Sequence, residues 1–200
     1  MIEQYKRDGY VVVPNVVDPL GVSKDGLYEA LSFAHAESET AYRLSCRLLA
    51  SHVGTIGMFL SPWLIEAVLD LGIEEPIFLT SVVAHVMAPD LWNEGAVAHQ
   101  DWPALQSGLD TVVAWIPLFD VGLDDYPVEV VPGSHLLGLL PSKEVKDGAA
   151  VVDTSGMNFV PVTMKRGDAL LFSAFTVHRT RTPGTGLRAA FSHRFENAAD

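Results

Sequence analysis

The tripeptide His99-Gln100-Asp101 places an imidazole and a carboxylate two positions apart. On a β-strand alternate side chains share a face, so both groups could reach one ion. A second imidazole, His178, follows far downstream, just after the apolar run Ala169-Leu170-Leu171-Phe172. Two histidines and one carboxylate make the facial donor set of non-haem Fe(II) sites, which leaves coordination positions open. Structural zinc favours closed four-ligand sites rich in thiolate, and this chain has one cysteine. Taken singly these signals are weak: a His-x-Asp is more often a surface turn, and His178 alone could be a histidine satisfied at a strand end. Arg188 strengthens them. It lies ten positions after His178, within Leu187-Arg188-Ala189-Ala190-Phe191. Arginines default to the surface, but this one sits in an apolar run that reads as buried. A guanidinium fork matches a carboxylate, as a dicarboxylate co-substrate would need if its other end chelates the metal.

The elements that must position these groups change character along the chain. An amphipathic helix is expected first, running into a strand over Tyr10-Val11-Val12-Val13 and closed by Pro14. From about residue 19 to 71 the pattern is helical. Leu27, Ala30, Leu31 and Ala34 recur at helical spacing, followed by Leu44, Leu48, Leu49 and the run 63–69. Gly54 and Gly57 are expected to interrupt this stretch. After Pro76, short apolar or alternating segments separated by Gly, Pro and Asp predict strands at about 77–87, 111–118, 128–131, 151–152, 159–164, 169–172 and 187–195. His178 is expected to end a strand, with Thr180 just beyond it. After the turn at 182–186, Arg188 should return on the adjacent strand. Alternation then puts Arg188, Ala190 and Ser192 on one face; if that face is the interior, the two small residues leave room beside the guanidinium.

The expected fold is mainly β with flanking helices, a sandwich or barrel buttressed by an α-helical start. A single domain over 1–200 is expected, with a helical part at about 19–75 and a β core at about 76–196. The chain has 200 residues and 48% hydrophobic content, enough for one well-buried core. No uninterrupted run of 18 apolar residues occurs, so no membrane crossing is expected. The charged start, Met1 to Asp8, does not read as a secretory leader. With Cys46 alone, no internal disulfide can form. A reducing cytoplasm is the expected location and suits a ferrous site. The formal charge of -12, from 25 acidic and 13 basic residues, offers no basic face for nucleic acid or an anionic membrane. A small-molecule substrate remains.

Taken in order, these segments resemble the phytanoyl-CoA dioxygenase family of Fe(II)/2-oxoglutarate oxygenases. The resembling motifs are Asp8-Gly9-Tyr10-Val11-Val12-Val13, His99-Gln100-Asp101-Trp102, Ala114-Trp115-Ile116-Pro117-Leu118, Val130-Val131-Pro132-Gly133-Ser134-His135, and the stretch from Gly167-Asp168 to His178. The resemblance implies a double-stranded β-helix (a cupin-like jelly roll) with iron between its sheets. It implies His99, Asp101 and His178 as iron ligands and Arg188 as partner of the distal carboxylate of 2-oxoglutarate. Thr180 matches an assisting hydroxyl, and Trp115 an aromatic position beside the co-substrate. The implied cofactors are Fe(II), 2-oxoglutarate and O2, with succinate and CO2 released as a substrate C–H is hydroxylated. Related halogenases vacate the carboxylate position for chloride, so Asp101 favours hydroxylation.

Three departures bear on the substrate, including any acyl-CoA. The chain is shorter than most members, so a reduced lid is expected. Asp125-Tyr126-Pro127 replaces the usual Gly-Pro. The stretch 83–87 has no evident family polar residue unless His85 or Met87 serves.

Other residues are read against plain structural roles. His135 either faces the pocket or caps a turn. Trp102 is expected to point away from Asp101 and pack on helices. Arg179 and Arg181 flank the distal ligand near the mouth. Gly167-Asp168 should form a tight turn, and Cys46 should pack as a small hydrophobe. His35, His52 and His193 receive no role. Two alternatives stand beside the oxygenase: a cupin-like metalloenzyme without 2-oxoglutarate, and a non-catalytic binding module on the same fold.

Overall fold

The computed structural model describes residues 1–79, 81–91, 95–146 and 149–199. Helix α1 (Ile2–Asp8) ends at Gly9, whose φ of +79° suits a residue without a side chain. A Cβ at Gly9 would also press into the His135 ring and the Thr176 hydroxyl. Strand β1 (Tyr10–Val13) follows.

Four helices come next: α2 (Lys24–Glu37), α3 (Glu39–Ser51), α4 (Val53–Phe59) and α5 (Pro62–Asp70). Ser23 and Ser38 cap α2 and α3 by accepting the backbone N–H of Gly26 and Ala41. Gly54 and Gly57 do not interrupt the helical stretch; both lie inside α4. The breaks fall at His52, whose Nδ1 accepts the Gly54 N–H, and at Leu60-Ser61 before Pro62. A capping side chain and a proline at the first helical position set these boundaries more strongly than glycine propensity.

The β part comprises β2 (Pro76–Phe78), β3 (Val83–Met87), the short helix α6 (Trp102–Leu105), β4 (Val112–Pro117), β5 (Val128–Val130), β6 (Ser142–Lys146), β7 (Ala149–Val152), β8 (Val160–Val162), β9 (Ala169–Ser173), β10 (His178–Thr180) and β11 (Arg188–Asn197). One antiparallel sheet runs β1-β9-β4-β11-β2, with β3 also paired to β11. A smaller sheet runs β10-β5-β8, and β6-β7 form a hairpin. The architecture is mainly β with flanking helices, a cupin-like jelly roll whose sheets are not closed. Residue 178 opens β10 and residue 180 closes it, so His178 does not end a strand as expected. Arg188 also does not return beside it: β10 belongs to the small sheet and β11 to the large one. The turn at 182–186 crosses between sheets, and Arg188 and His178 line one pocket from different sheets.

Strict alternation builds two cores. In β4, Val112, Ala114 and Ile116 join the helix-side cluster, which also holds Leu31, Phe59, Leu64 and Val68. Val113 and Trp115 turn inward between the sheets, beside Val128, Val130, Leu170 and Phe172. A strand buried on both faces reads as a near-continuous apolar run, as the Ala-Leu-Leu-Phe that opens β9 does. By length and apolar composition Val53–Asp70 could cross a membrane. It folds instead as two short helices, and α5 buries Leu64, Ala67 and Val68.

Candidate metal and co-substrate site

His99 is not on a regular strand. It forms isolated antiparallel bridges with His178 and Val151, and its N–H and the His178 N–H each donate to the other's carbonyl at 3.0 Å. Two residues later Asp101 has already turned into the helical region (φ −73°, ψ −30°) as the cap of α6. A bridge followed by a helix start, not strand alternation, brings the two side chains together.

The result is a tight cluster. His99 Nε2 lies 3.3 Å and His178 Nε2 3.6 Å from Asp101 Oδ1. One ligand atom from each of the three residues falls within 4.8 Å of the others. Each imidazole is aimed by its other nitrogen. His99 Nδ1 lies 2.7 Å from the Val97 carbonyl, and His178 Nδ1 lies 3.0 Å from the Thr176 carbonyl. A carbonyl only accepts, so both Nδ1 atoms carry the proton and both Nε2 lone pairs face the cluster. Burial, then the neighbouring His99 ring, pushes His178 down to about 4 against the pull of Asp101, which keeps the imidazole neutral as ligation requires. Burial opposes ionisation of Asp101, but the Arg194 guanidinium outweighs it and holds the carboxyl far below the usual carboxylate range. Two imidazoles and one carboxylate fit a divalent iron.

Arg188 rises from the first position of β11 and is only 3% exposed. Its Nη1 donates to the Tyr126 carbonyl at 2.6 Å, while its Nε is buried with no partner. Burial pushes this guanidinium down to about 10, so it remains a cation at neutral pH. A buried cation with an unused donor fits an anionic group that completes it. Trp115 lies beneath, its ring 5.5 Å from the guanidinium carbon. Thr180 lines the same pocket, its hydroxyl oxygen accepting the Ala96 N–H. The pocket thus brings together all six residues singled out in the sequence: His99, Asp101, His178, Arg188, Thr180 and Trp115.

Other expectations resolve individually. His85 lines the pocket and shares a 2.8 Å hydrogen bond with the Ser192 hydroxyl. Burial, then Arg188 and Arg194, pushes it down to about 3, so it is neutral. Met87 is buried beside Arg188 in the β3–β11 pairing. His135 takes the turn role: it lies in a 3-10 turn, and its Nε2 meets the Lys6 carbonyl. Trp102 stacks on Phe175 (centroids 5.6 Å apart), not on the flanking helices. Arg179 and Arg181 both approach Glu129, and Arg179 lies over Phe159. Cys46 packs against the helix-side core, and Asp168 anchors its turn through Asn15 and Lys165.

Two residues escaped the sequence reading. Arg194 donates from Nη2 and Nε to Asp101 Oδ2 at 2.7 and 3.1 Å. Extending the alternation of Arg188, Ala190 and Ser192 by one step would have found it. Gln100, between His99 and Asp101, donates to the carbonyls of Gly138 and Phe175 and accepts the Leu140 N–H. No sequence signal marks that role.

The family model described as phytanoyl-CoA dioxygenase (PhyH) matches residues 5–189. No curated protein matches the chain in sequence. Among solved structures, the chain is similar to the non-heme alpha ketoglutarate dependent carbocyclase SnoK from nogalamycin biosynthesis (TM-score 0.71, 22% identity, 98% of this chain and 83% of that one). It is similar to the epimerase SnoN in complex with Fe3+, alpha ketoglutarate and nogalamycin RO (TM-score 0.64, 25% identity, 98% and 82%). It is also similar to EctD from S. alaskensis with 2-oxoglutarate and 5-hydroxyectoine (TM-score 0.70, 13% identity, 99% and 75%).

Proposed function

We propose that this chain, which belongs to the phytanoyl-CoA dioxygenase (PhyH) family, is an Fe(II)- and 2-oxoglutarate-dependent oxygenase that hydroxylates a C–H bond of a small molecule. The observation that supports it most is the pairing, within one pocket, of the His99-Asp101-His178 cluster with the unsatisfied Arg188 Nε. A metal cluster alone would suit any cupin-like metalloenzyme. A buried cation with a free donor beside it suits a co-substrate with a second carboxylate.

In this reading His99, Asp101 and His178 hold the iron, and the carbonyls of Val97 and Thr176 fix the tautomer that lets them do so. Arg188, steadied by the Tyr126 carbonyl, pairs with the distal carboxylate of 2-oxoglutarate. Thr180 keeps its O–H available to the same group, because its oxygen already accepts from Ala96. Trp115, Val113, Val128 and Phe172 wall the pocket with apolar surface and exclude water. Bound iron, with 2-oxoglutarate and O2, supplies the oxidising power, and succinate and CO2 are the co-products.

A second outcome on the same site is ring closure or epimerisation instead of hydroxylation. It is favoured by the likeness to a carbocyclase and an epimerase. The test is succinate release from 2-oxoglutarate by anaerobically iron-loaded protein exposed to O2 across a small-metabolite library. Product mass then separates the outcomes: a gain of one oxygen supports hydroxylation, loss of two hydrogens supports ring closure, and, with ascorbate in the assay to supply the two electrons the substrate then does not, an unchanged mass with altered stereochemistry supports epimerisation. No succinate under any condition would rule out both.

A further inference from the structure

We propose that Arg194 is a positioning residue that holds Asp101 to single-oxygen ligation of the metal. The inference rests on the reading of His99, Asp101 and His178 as a metal centre. Arg194 follows Arg188, Ala190 and Ser192 on the inward face of β11. Its fork does not straddle the carboxylate. Both Nε and Nη2 donate to the same oxygen, Oδ2, at 3.1 and 2.7 Å. Oδ1 is the atom that faces the two histidine Nε2 atoms, at 3.3 and 3.6 Å. The third nitrogen, Nη1, donates to the Ser192 hydroxyl at 2.9 Å, and that hydroxyl is itself bonded to His85 Nε2 at 2.8 Å. The guanidinium is therefore tied at both ends, and Oδ2 is occupied. Asp101 can offer the cluster only Oδ1. One carboxylate oxygen and two imidazoles leave open the positions that a chelating co-substrate and O2 require.

A simpler account makes Arg194 a counter-charge for a buried carboxylate. The two accounts differ in the sign of one measurement. A fixed cation beside a dication repels it. If Arg194 supplied only charge, removing it would leave metal affinity unchanged or tighter, and Arg194→Lys would behave like the native protein. If Arg194 orients Asp101, affinity should fall in the order native, Arg194→Lys, Arg194→Met, because lysine keeps the charge without the fork.

The test is Co(II) binding to the metal-free full chain, without 2-oxoglutarate, followed by calorimetry and by the visible spectrum of the bound ion. Arg194→Met should weaken binding by about 10–100-fold, the range for loss of a group that orients a ligand, with Arg194→Lys intermediate. The Co(II) bands should also change, because nothing then holds Asp101 in the orientation that presents Oδ1 to the metal. Equal or tighter binding by Arg194→Met, or native binding by Arg194→Lys, overturns the proposal. Should Arg194→Met fail to fold, Arg194→Lys and Ser192→Ala decide: weakened binding in both supports the proposal, and native binding in either overturns it. If the native chain binds no Co(II), or binds it equally well as His178→Ala, the metal-centre reading itself fails and this inference falls with it.

Discussion

Arg188 and Tyr126 are joined by a 2.6 Å hydrogen bond from the guanidinium Nη1 to the backbone carbonyl. Tyr126 adopts a left-handed backbone (φ +53°), rare for a residue with a ring. It belongs to the Asp125-Tyr126-Pro127 stretch, and its backbone carbonyl is what steadies the Arg188 guanidinium. With Nη1 engaged and Nε unpartnered, the fork is oriented and incomplete.

Arg188→Lys should therefore raise the apparent constant for 2-oxoglutarate sharply. Lysine keeps the charge but loses the planar fork and the anchoring to Tyr126. Loss of a buried, charge-paired contact costs about 2–5 kcal/mol. Metal affinity should stay close to native, because Arg188 makes no contact with the three ligands among the hydrogen bonds of the described residues. Titration of 2-oxoglutarate against succinate release, with Co(II) affinity in parallel, checks both halves. An unaltered 2-oxoglutarate constant would show that Arg188 is not its partner.

Each of His99→Ala, Asp101→Ala and His178→Ala should abolish tight Fe(II) binding and 2-oxoglutarate turnover, because each removes one of the three donors of the proposed metal centre. Anaerobic calorimetry reads the loss directly. Near-native iron affinity in Asp101→Ala would remove the carboxylate from the site.

Gln100 shows how the site is braced from outside the ligand set. It is 1% exposed, and its amide makes three hydrogen bonds, to Gly138, Phe175 and Leu140. These tie the segment between His99 and Asp101 to the turn that leads into His178, through Phe175, and to the loop after the 3-10 turn, through Gly138 and Leu140. Gln100→Leu would leave two carbonyls and one N–H without partners, at about 1–3 kcal/mol for each buried group that water cannot reach. The expected outcome is a lower Tm together with weaker Co(II) binding. A native Tm would mean that water or backbone movement replaces all three bonds.

The strands were legible because burial on both faces leaves a continuous apolar signature, as in β4 and β9. The metal cluster was legible from donor types and order along the chain, although the local geometry was not: His99 and Asp101 meet through a bridge and a helix cap. The position of Arg188 on a different sheet from His178 was out of reach for a related reason. A five-residue turn at 182–186 is compatible with a hairpin or with a crossing between sheets, and only the pairing partners of β10 and β11 decide. Arg194 was overlooked because a charged residue near a strand end reads as solvent-exposed, whereas its charge is satisfied by Asp101, 93 positions away.

His193 gives a prediction outside the pocket. Alternation along β11 sends it to the face opposite Ser192 and Arg194, into the helix-side core. Its ring packs against Phe78, Phe195 and Phe59, with centroids 3.8, 5.2 and 5.6 Å away. Neither ring nitrogen has a hydrogen-bond partner. Burial, assisted by the adjacent Arg194 charge, pushes it down to about 4, against about 6.5 in an unfolded chain. Between these values the unfolded chain binds the proton and the folded chain does not. Stability therefore rises with pH across the window from about 4 to about 6.5 and is lost as pH falls through it. One proton contributes a slope of about 1.4 kcal/mol per pH unit there. His193→Phe keeps an aromatic ring among the phenylalanines and removes the titrating group. Urea unfolding of the metal-free protein across that pH range should show the slope reduced by about one proton. The contributions of His85 and His178 should persist, and above pH 7 only a constant offset should remain. An identical slope in the variant would mean that His193 takes up no proton on unfolding, and that the acid sensitivity lies wholly with the histidines of the pocket.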